Sequence, residues 1–255
     1  VVVAIMALLI AILLPSLRRA RGAAMRTQCG SNLRQVMIGT KLYFDETSGR
    51  LPRGTNINYT FGGQFGAGGP AYQVGRDLNM YLGLPSLCGY VDTPTGRQVG
   101  ERVATVFECP SDEGAPGIRP DNFTYYGTSF QANNFVIGSG DLRPVSGDPL
   151  NAVYFQLRRR MPDMMLSQVD VDPSRLWMWG DGVWHTTLNL LSYESVTWHD
   201  VSCSHNLAFL DGHAAFVRLH RGRRVTAEAC QVPFRDLAAM SEEAQEALGP
   251  IEECP

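Results

Sequence analysis

The chain has 255 residues, a formal net charge of −3 at pH 7 and 18% charged side chains, so nothing global suggests nucleic-acid binding. Six cysteines are widely spaced with no Cys-x-x-Cys pair, which fits an oxidising compartment. Behind the first helical segment about 200 residues remain, enough for one sizeable core or a core with a long insertion.

The first fourteen residues, VVVAIMALLIAILL, carry no charge and no polar side chain. Pro15 follows, then a basic cluster of Arg18, Arg19, Arg21 and Arg26. The apolar run is shorter than the ~20 residues of a full bilayer span, and the chain opens without a start methionine, so the expectation is a segment entered partway. Met25, Cys29, Leu33, Val36, Thr40 and Tyr43 recur at steps of three or four and mark one helix face. Punctuation arrives only at Thr47-Ser48-Gly49, with Pro52 beyond. One helix from Val1 to about Glu46 is therefore expected, roughly 70 Å long, with Pro15 as a kink and not a stop. Such a helix must project from a small domain. It reads as a signal-anchor-like element and not as a cleaved leader, which would give way to a turn.

Beyond Pro52 the chain is loop-rich. Residues 53–75 hold a glycine and aromatic cluster read as an irregular surface segment, since no Gly-Lys-Ser/Thr follows to make a phosphate loop. One helical turn is expected over Asp77–Leu82, ending at Gly83. Short strands are expected at Val103–Phe107, Thr124–Tyr126 and Asn134–Ile137. Ser111-Asp112-Glu113-Gly114 is turn chemistry; calcium is the alternative there, with too few carboxylates nearby for the usual 6–8 oxygens.

Leu176-Trp177-Met178-Trp179 is apolar on alternating faces and reads as a central, doubly covered strand, turned by Gly180-Asp181-Gly182. All four tryptophans fall between Trp177 and Trp198; core packing is the default and a sugar platform the alternative. Leu207–Leu210, Asp211-Gly212 and His213–Leu219 spell a hairpin with a two-residue type I′ turn. That register opposes Leu210 with His213, Leu207 with Phe216 and His205 with Arg218, placing His205 and His213 on opposite faces. His199, Cys203, His205, Asp211 and His213 superficially resemble a zinc or catalytic cluster. The register separates the two hairpin histidines, and a set from His199, Cys203 and His205 lacks a fourth ligand, so no metal or other cofactor is expected. No nucleophile motif is present, so no enzyme activity is expected. Phe234–Leu248 reads as an acidic terminal helix, ended by Gly249-Pro250; Cys230 and Cys254 flank it and form one candidate disulfide.

The N-terminal stretch, together with TQCGSNLRQ at 27–35, SGRLP at 48–52, FECPSD at 107–112 and HNLAFLDGHAAF at 205–216, resembles type IV pilins and type II secretion pseudopilins. The match is to bacterial pilin-like proteins with a prepilin-type cleavage and methylation segment and a C-terminal His-x9-Asp-Gly motif. Here five residues separate His205 from Asp211-Gly212, a departure that weakens any role carried over to His205. The motif positions are Cys29, Asn32, Leu33, Cys109, Pro110, Ser111, Asp112, His205, Asp211, Gly212 and His213, and a Cys29–Cys109 disulfide is favoured because both lie in matching stretches. The resemblance implies a leader, a processed phenylalanine and a nearby glutamate upstream of Val1.

It further implies an α+β fold, with a long N-terminal helix packed on an antiparallel sheet bearing long loop insertions. Residues 1–47 would form the membrane and assembly helix, with Val1, Ile5, Leu8, Leu9, Ile12, Leu13 and Pro15 at its apolar end. Residues 48–255 would form a periplasmic or extracellular globular domain. The positive-inside rule alone would put the arginine cluster in the cytoplasm; the resemblance implies the reverse, because family leaders are themselves basic. The implied function is that of a structural subunit of a pilus or secretion pseudopilus, held in the inner membrane by a single pass before assembly. Its implied partners are copies of itself or other pilins, the inner membrane, a prepilin peptidase and the assembly machinery, with no nucleic acid. The alternatives are a membrane-anchored extracellular binding protein for a ligand such as a glycan and, less favoured, an anchored metal-dependent hydrolase.

Overall fold

The apolar stripe at steps of three and four residues builds a single helix, α1 (Val2–Glu46), in the computed structural model. The structure describes residues 2–54, 57–72, 75–86, 104–115, 117–118, 120–138, 148–188 and 198–249. The 45 residues of α1 extend roughly 67 Å at about 1.5 Å per residue. The helix runs through Pro15, whose ring removes a backbone bond without ending the element. It ends where Ser48 and Gly49 turn left-handed (φ 55° and 80°) and the Gly49 N–H donates to the Phe44 carbonyl at 2.6 Å.

The two halves of α1 meet different surroundings. Of the expected stripe Cys29, Leu33, Val36 and Thr40 are buried and Met25 and Tyr43 half-buried, while Met37 and Phe44 beside it are buried as well. From Val2 to Leu17 the described large apolar side chains, Ile5, Leu9, Ile12 and Leu13 among them, are 49–78% exposed. Val1 lies outside the described residues. Among those described, no helix is long and apolar enough to cross a membrane.

The buried half lies on a four-stranded antiparallel sheet of β1 (Phe130–Ala132), β2 (Trp177–Asp181), β3 (Ser204–Phe209) and β4 (Ala214–Arg218), in that spatial order. The chain thus has the α+β architecture expected of it. β2 is central and buried at every position, because α1 covers one face and a second apolar cluster covers the other. A bulge between Trp177 and Trp179 places Trp177 opposite Phe209 and Trp179 opposite Ala208. Trp179 therefore faces α1 and donates from Nε1 to Thr40 Oγ1 at 3.0 Å. Trp177 packs behind the sheet with Trp184, Leu207 and Phe209. All four tryptophans are core residues, at most 5% exposed.

The hairpin exists, but its register is one residue away from expectation. Leu207 pairs with Ala215, Asn206 with Phe216 and His205 with Val217. The loop holds Leu210, Asp211 and Gly212, closed by the Phe209 N–H to the His213 carbonyl at 2.9 Å, with Gly212 at φ 104°. A third loop residue switches the parity, so His205 and His213 share a face instead of opposing each other.

Five shorter helices complete the described fold: α2 (Ile57–Thr60), α3 (Asn122–Tyr126), α4 (Asn151–Arg160), α5 (Trp184–Leu188) and α6 (Arg235–Glu246). The turn over Asp77–Leu82 is a 3₁₀ turn ended by left-handed Gly83. Three expected strands are absent from their places. Thr105–Phe107 is a 3₁₀ turn, and residues 134–137 form turns. Residues 124–126 belong to α3, which Asp121 nucleates by accepting from the Thr124 N–H at 2.6 Å. Gly180-Asp181 does not turn the chain but continues β2.

The glycine-rich segment is a packed element, not a surface loop: Phe61 and Phe65 are buried. Its organiser is Arg76, fully buried, whose guanidinium donates to the carbonyls of Tyr59, Tyr72 and Tyr126 at 2.5, 2.8 and 2.8 Å. Tyr59 stacks on Tyr126 with ring centroids 4.1 Å apart, so these aromatic faces serve the fold. A Cβ on Gly127 would lie 1.8 Å from the Gln64 carbonyl oxygen, which makes glycine obligatory at that crossing.

A buried cysteine, histidine and aspartate centre

Beneath α1 four side chains from four separate segments converge. Cys29 projects from the buried stripe of α1, Cys109 from the segment after the 3₁₀ turn, Asp181 from the end of β2, and His199 from the approach to β3. Their ligating atoms all lie within 4.8 Å of one another, and all four residues are buried. Cys29 Sγ donates to Asp181 Oδ1 at 3.1 Å. His199 Nε2 lies 3.2 Å from Asp181 Oδ2 and 3.8 Å from Cys109 Sγ.

The surroundings hold this group in place. Asn32, one turn beyond Cys29 on α1, donates to the Glu108 carbonyl at 2.8 Å and so fixes the Cys109 segment against the helix. The Cys109 N–H donates to Ser129 Oγ at 2.9 Å. Asn206 on β3 gives its backbone N–H to Asp181 Oδ2 at 2.8 Å and sets its amide nitrogen 2.9 Å from His199 Nε2. Trp198 Nε1 donates to the Gly114 carbonyl at 2.9 Å, tying down the His199 segment.

Crowding shifts the titrations in opposite directions. Burial, the hydrogen bond with Cys109 and the charge of Asp181 push the Cys29 thiol well above its ordinary value. Burial also works against a Cys109 thiolate, but hydrogen bonds with Cys29 and His199 outweigh it and bring the thiol down. Burial opposes a charged His199, yet its hydrogen bonds to Asp181 and Cys109 prevail and raise it from 6.5 to about 10. Cys109 is 2% and His199 6% exposed. The arrangement can clamp α1 to the sheet or hold an ion.

The other expected site residues divide between this centre and the scaffold. Cys29 and Cys109 are brought together as expected, but both are free thiols and not a bridge. Cys230 is likewise free and buried, which removes the Cys230–Cys254 pair; Cys254 lies outside the described residues. Cys203, assigned no partner from the sequence, is disulfide-bonded. Leu33 is core. Pro110 and Ser111 form the turn leading to Asp112, whose carboxylate accepts from the backbone N–H groups of Gly114, Asn122 and Phe123 at 2.9, 3.1 and 2.9 Å. Asp112 is thus a half-buried loop organiser and not the solvated turn residue expected.

His205 is buried with Nε2 2.9 Å from Thr187 Oγ1, away from the centre. His213 pairs with Asp211 through Nδ1 at 2.7 Å and stacks on Phe209. Lys41 of α1 donates to the Asp211 carbonyl beside Gly212. The histidine that joins the cysteines is His199, and its carboxylate partner is Asp181, which its flanking glycines disguise as a turn residue. Compared with known proteins, the chain matches no family model, no curated protein and no solved structure.

Proposed function

We propose that the protein is a pilin-like structural subunit, a component of a type IV pilus or a secretion pseudopilus. One observation carries this reading: α1 is a single helix whose later half is buried against the sheet, while its described apolar side chains from Val2 to Leu17 stay 49–78% exposed. An apolar helical surface of this kind is costly in water and is covered most simply by other helices of the same type. Before assembly the same surface would meet lipid, with the inner membrane, a prepilin peptidase and an assembly machine as partners. The arginines that follow it would then face headgroups, periplasm or the filament interior.

The tryptophans that a glycan-binding rival would need as an open platform are at most 5% exposed, and Tyr59 stacks on Tyr126, which favours the structural reading. The test is Leu9→Asp in the full chain. It places a charge on the exposed apolar face and costs about 2.5–3.5 kcal/mol for insertion near mid-membrane. In the presence of a working assembly system, electron microscopy of sheared filaments should show the unchanged chain incorporated and the variant excluded. Equal incorporation of both, or of neither, would count against the proposal.

A further inference from the structure

We infer that Cys29, Cys109, Asp181 and His199 form a closed four-ligand structural site for a divalent transition ion of the zinc class. This goes beyond the filament reading and does not rest on it. The donor set is two sulfurs, an imidazole nitrogen and a carboxylate oxygen, the mixture that four-coordinate zinc accepts and that calcium or magnesium does not.

The donor atoms are gathered to nearly the spacing such a site needs. A tetrahedron's edge is about 1.63 times its centre-to-corner length, so zinc bonds of about 2.0–2.3 Å require donor separations of about 3.3–3.8 Å. His199 Nε2 and Cys109 Sγ are 3.8 Å apart, within this range; Cys29 Sγ lies 3.1 Å from Asp181 Oδ1 and His199 Nε2 3.2 Å from Asp181 Oδ2, slightly short of it and on the two different carboxylate oxygens. Every remaining pair of ligating atoms lies within 4.8 Å. Donor pairs near that limit must close by about 1 Å for four bonds to form, a movement of side chains that already converge.

The imidazole of His199 is turned so that Nε2 faces the other three donors. His199 Nε2 has a carboxylate oxygen at 3.2 Å and the Asn206 side-chain amide at 2.9 Å. The ring's other nitrogen is buried without a hydrogen-bond partner, so the imidazole's polar contacts all run through Nε2. A bound divalent cation would balance the charge of the two thiolates and the carboxylate that its binding leaves in the buried group. On loading, Cys29 and Cys109 give up their thiol protons and His199 its ring proton on Nε2, all to solvent, with no change of oxidation state.

With four protein ligands the site has no open position, so its role is structural. It would join α1 to β2 and to the segments around Cys109 and His199, fixing the projecting helix to the globular part at one point.

The test uses the full chain, purified in mild detergent with reductant and without chelator. Elemental analysis should find about one zinc per chain. Replacement by Co(II) should produce thiolate-to-cobalt charge-transfer bands and the visible spectrum of a tetrahedral ion. Cys109→Ser and His199→Ala should each abolish most of the bound metal, while Cys230→Ser, a buried free thiol outside the set, should retain it. Because a variant could misfold, the Co(II) spectrum of the unchanged chain stands as an independent readout. A reduced, folded chain that binds no zinc and shows no thiolate–cobalt bands overturns the proposal. So does metal retained in full by folded Cys109→Ser, or a Cys29–Cys109 disulfide in metal-free protein isolated without reductant.

Discussion

His205 sits on β3 at 1% exposure, with its Nε2 2.9 Å from Thr187 Oγ1. Burial is the dominant influence on the ring and lowers its pKa from 6.5 to about 4. The unfolded chain therefore binds this proton in a range where the folded chain does not. Stability from His205 is fully present above about pH 6.5 and is lost as the pH falls through 6.5 towards 4. The whole shift corresponds to about 3 kcal/mol. His205→Gln keeps a hydrogen-bonding group for Thr187 but cannot titrate. Urea midpoints at pH 7 and pH 5 should fall together less steeply in the variant than in the unchanged chain; identical slopes would show that His205 is not a buried neutral imidazole.

At the scale of elements, the seam between α1 and β2 explains why the helix has one face and the sheet one register. Trp179 Nε1 donates to Thr40 Oγ1, a buried hydrogen bond crossing from strand to helix at 3.0 Å. A double-mutant cycle with Trp179→Phe and Thr40→Val should return a coupling of about 1 kcal/mol in thermal or denaturant unfolding. A coupling near zero would mean the two groups find other partners. The α1 stripe and the doubly buried strand were legible in the sequence because periodicity reports burial directly. The bulge that sends Trp177 and Trp179 to opposite faces was not, since both positions are equally apolar. Asp211-Gly212 announced a turn but not its length. Leu210 joins the loop, and one residue there exchanges the two faces of the whole hairpin. The centre was half legible. Cys29 and Cys109 stood in recognisable stretches, and His199 was visible as a potential ligand. Asp181, 152 residues from Cys29, could be placed beside it only by the packing of β2 under α1.

The molecule as a whole is divided at about Gly22. A Cβ there would lie 3.3 Å from Asp200 Oδ2, and a turn further on the Arg26 guanidinium sits 4.6 Å over the Phe216 ring on β4. Before that point α1 contributes no buried side chain among those described. After it every turn is anchored, by the centre at Cys29, by Leu33, Val36 and Met37 in the core, and by Lys41 on the hairpin loop. Folding and self-association should therefore be separable. Removing residues 1–21 deletes exposed apolar surface and no core contact, so the change in unfolding free energy should stay within about 0.5 kcal/mol. The shortened chain should sediment as a monomer without detergent, whereas the full chain should need detergent or lipid to remain dispersed. Sedimentation velocity and circular dichroism on both forms decide the matter. If the shortened chain unfolds at markedly lower denaturant, the apolar half belongs to the core after all. If it folds but still polymerises, the association surface lies on the globular part, and the exposed half of α1 is not what drives assembly.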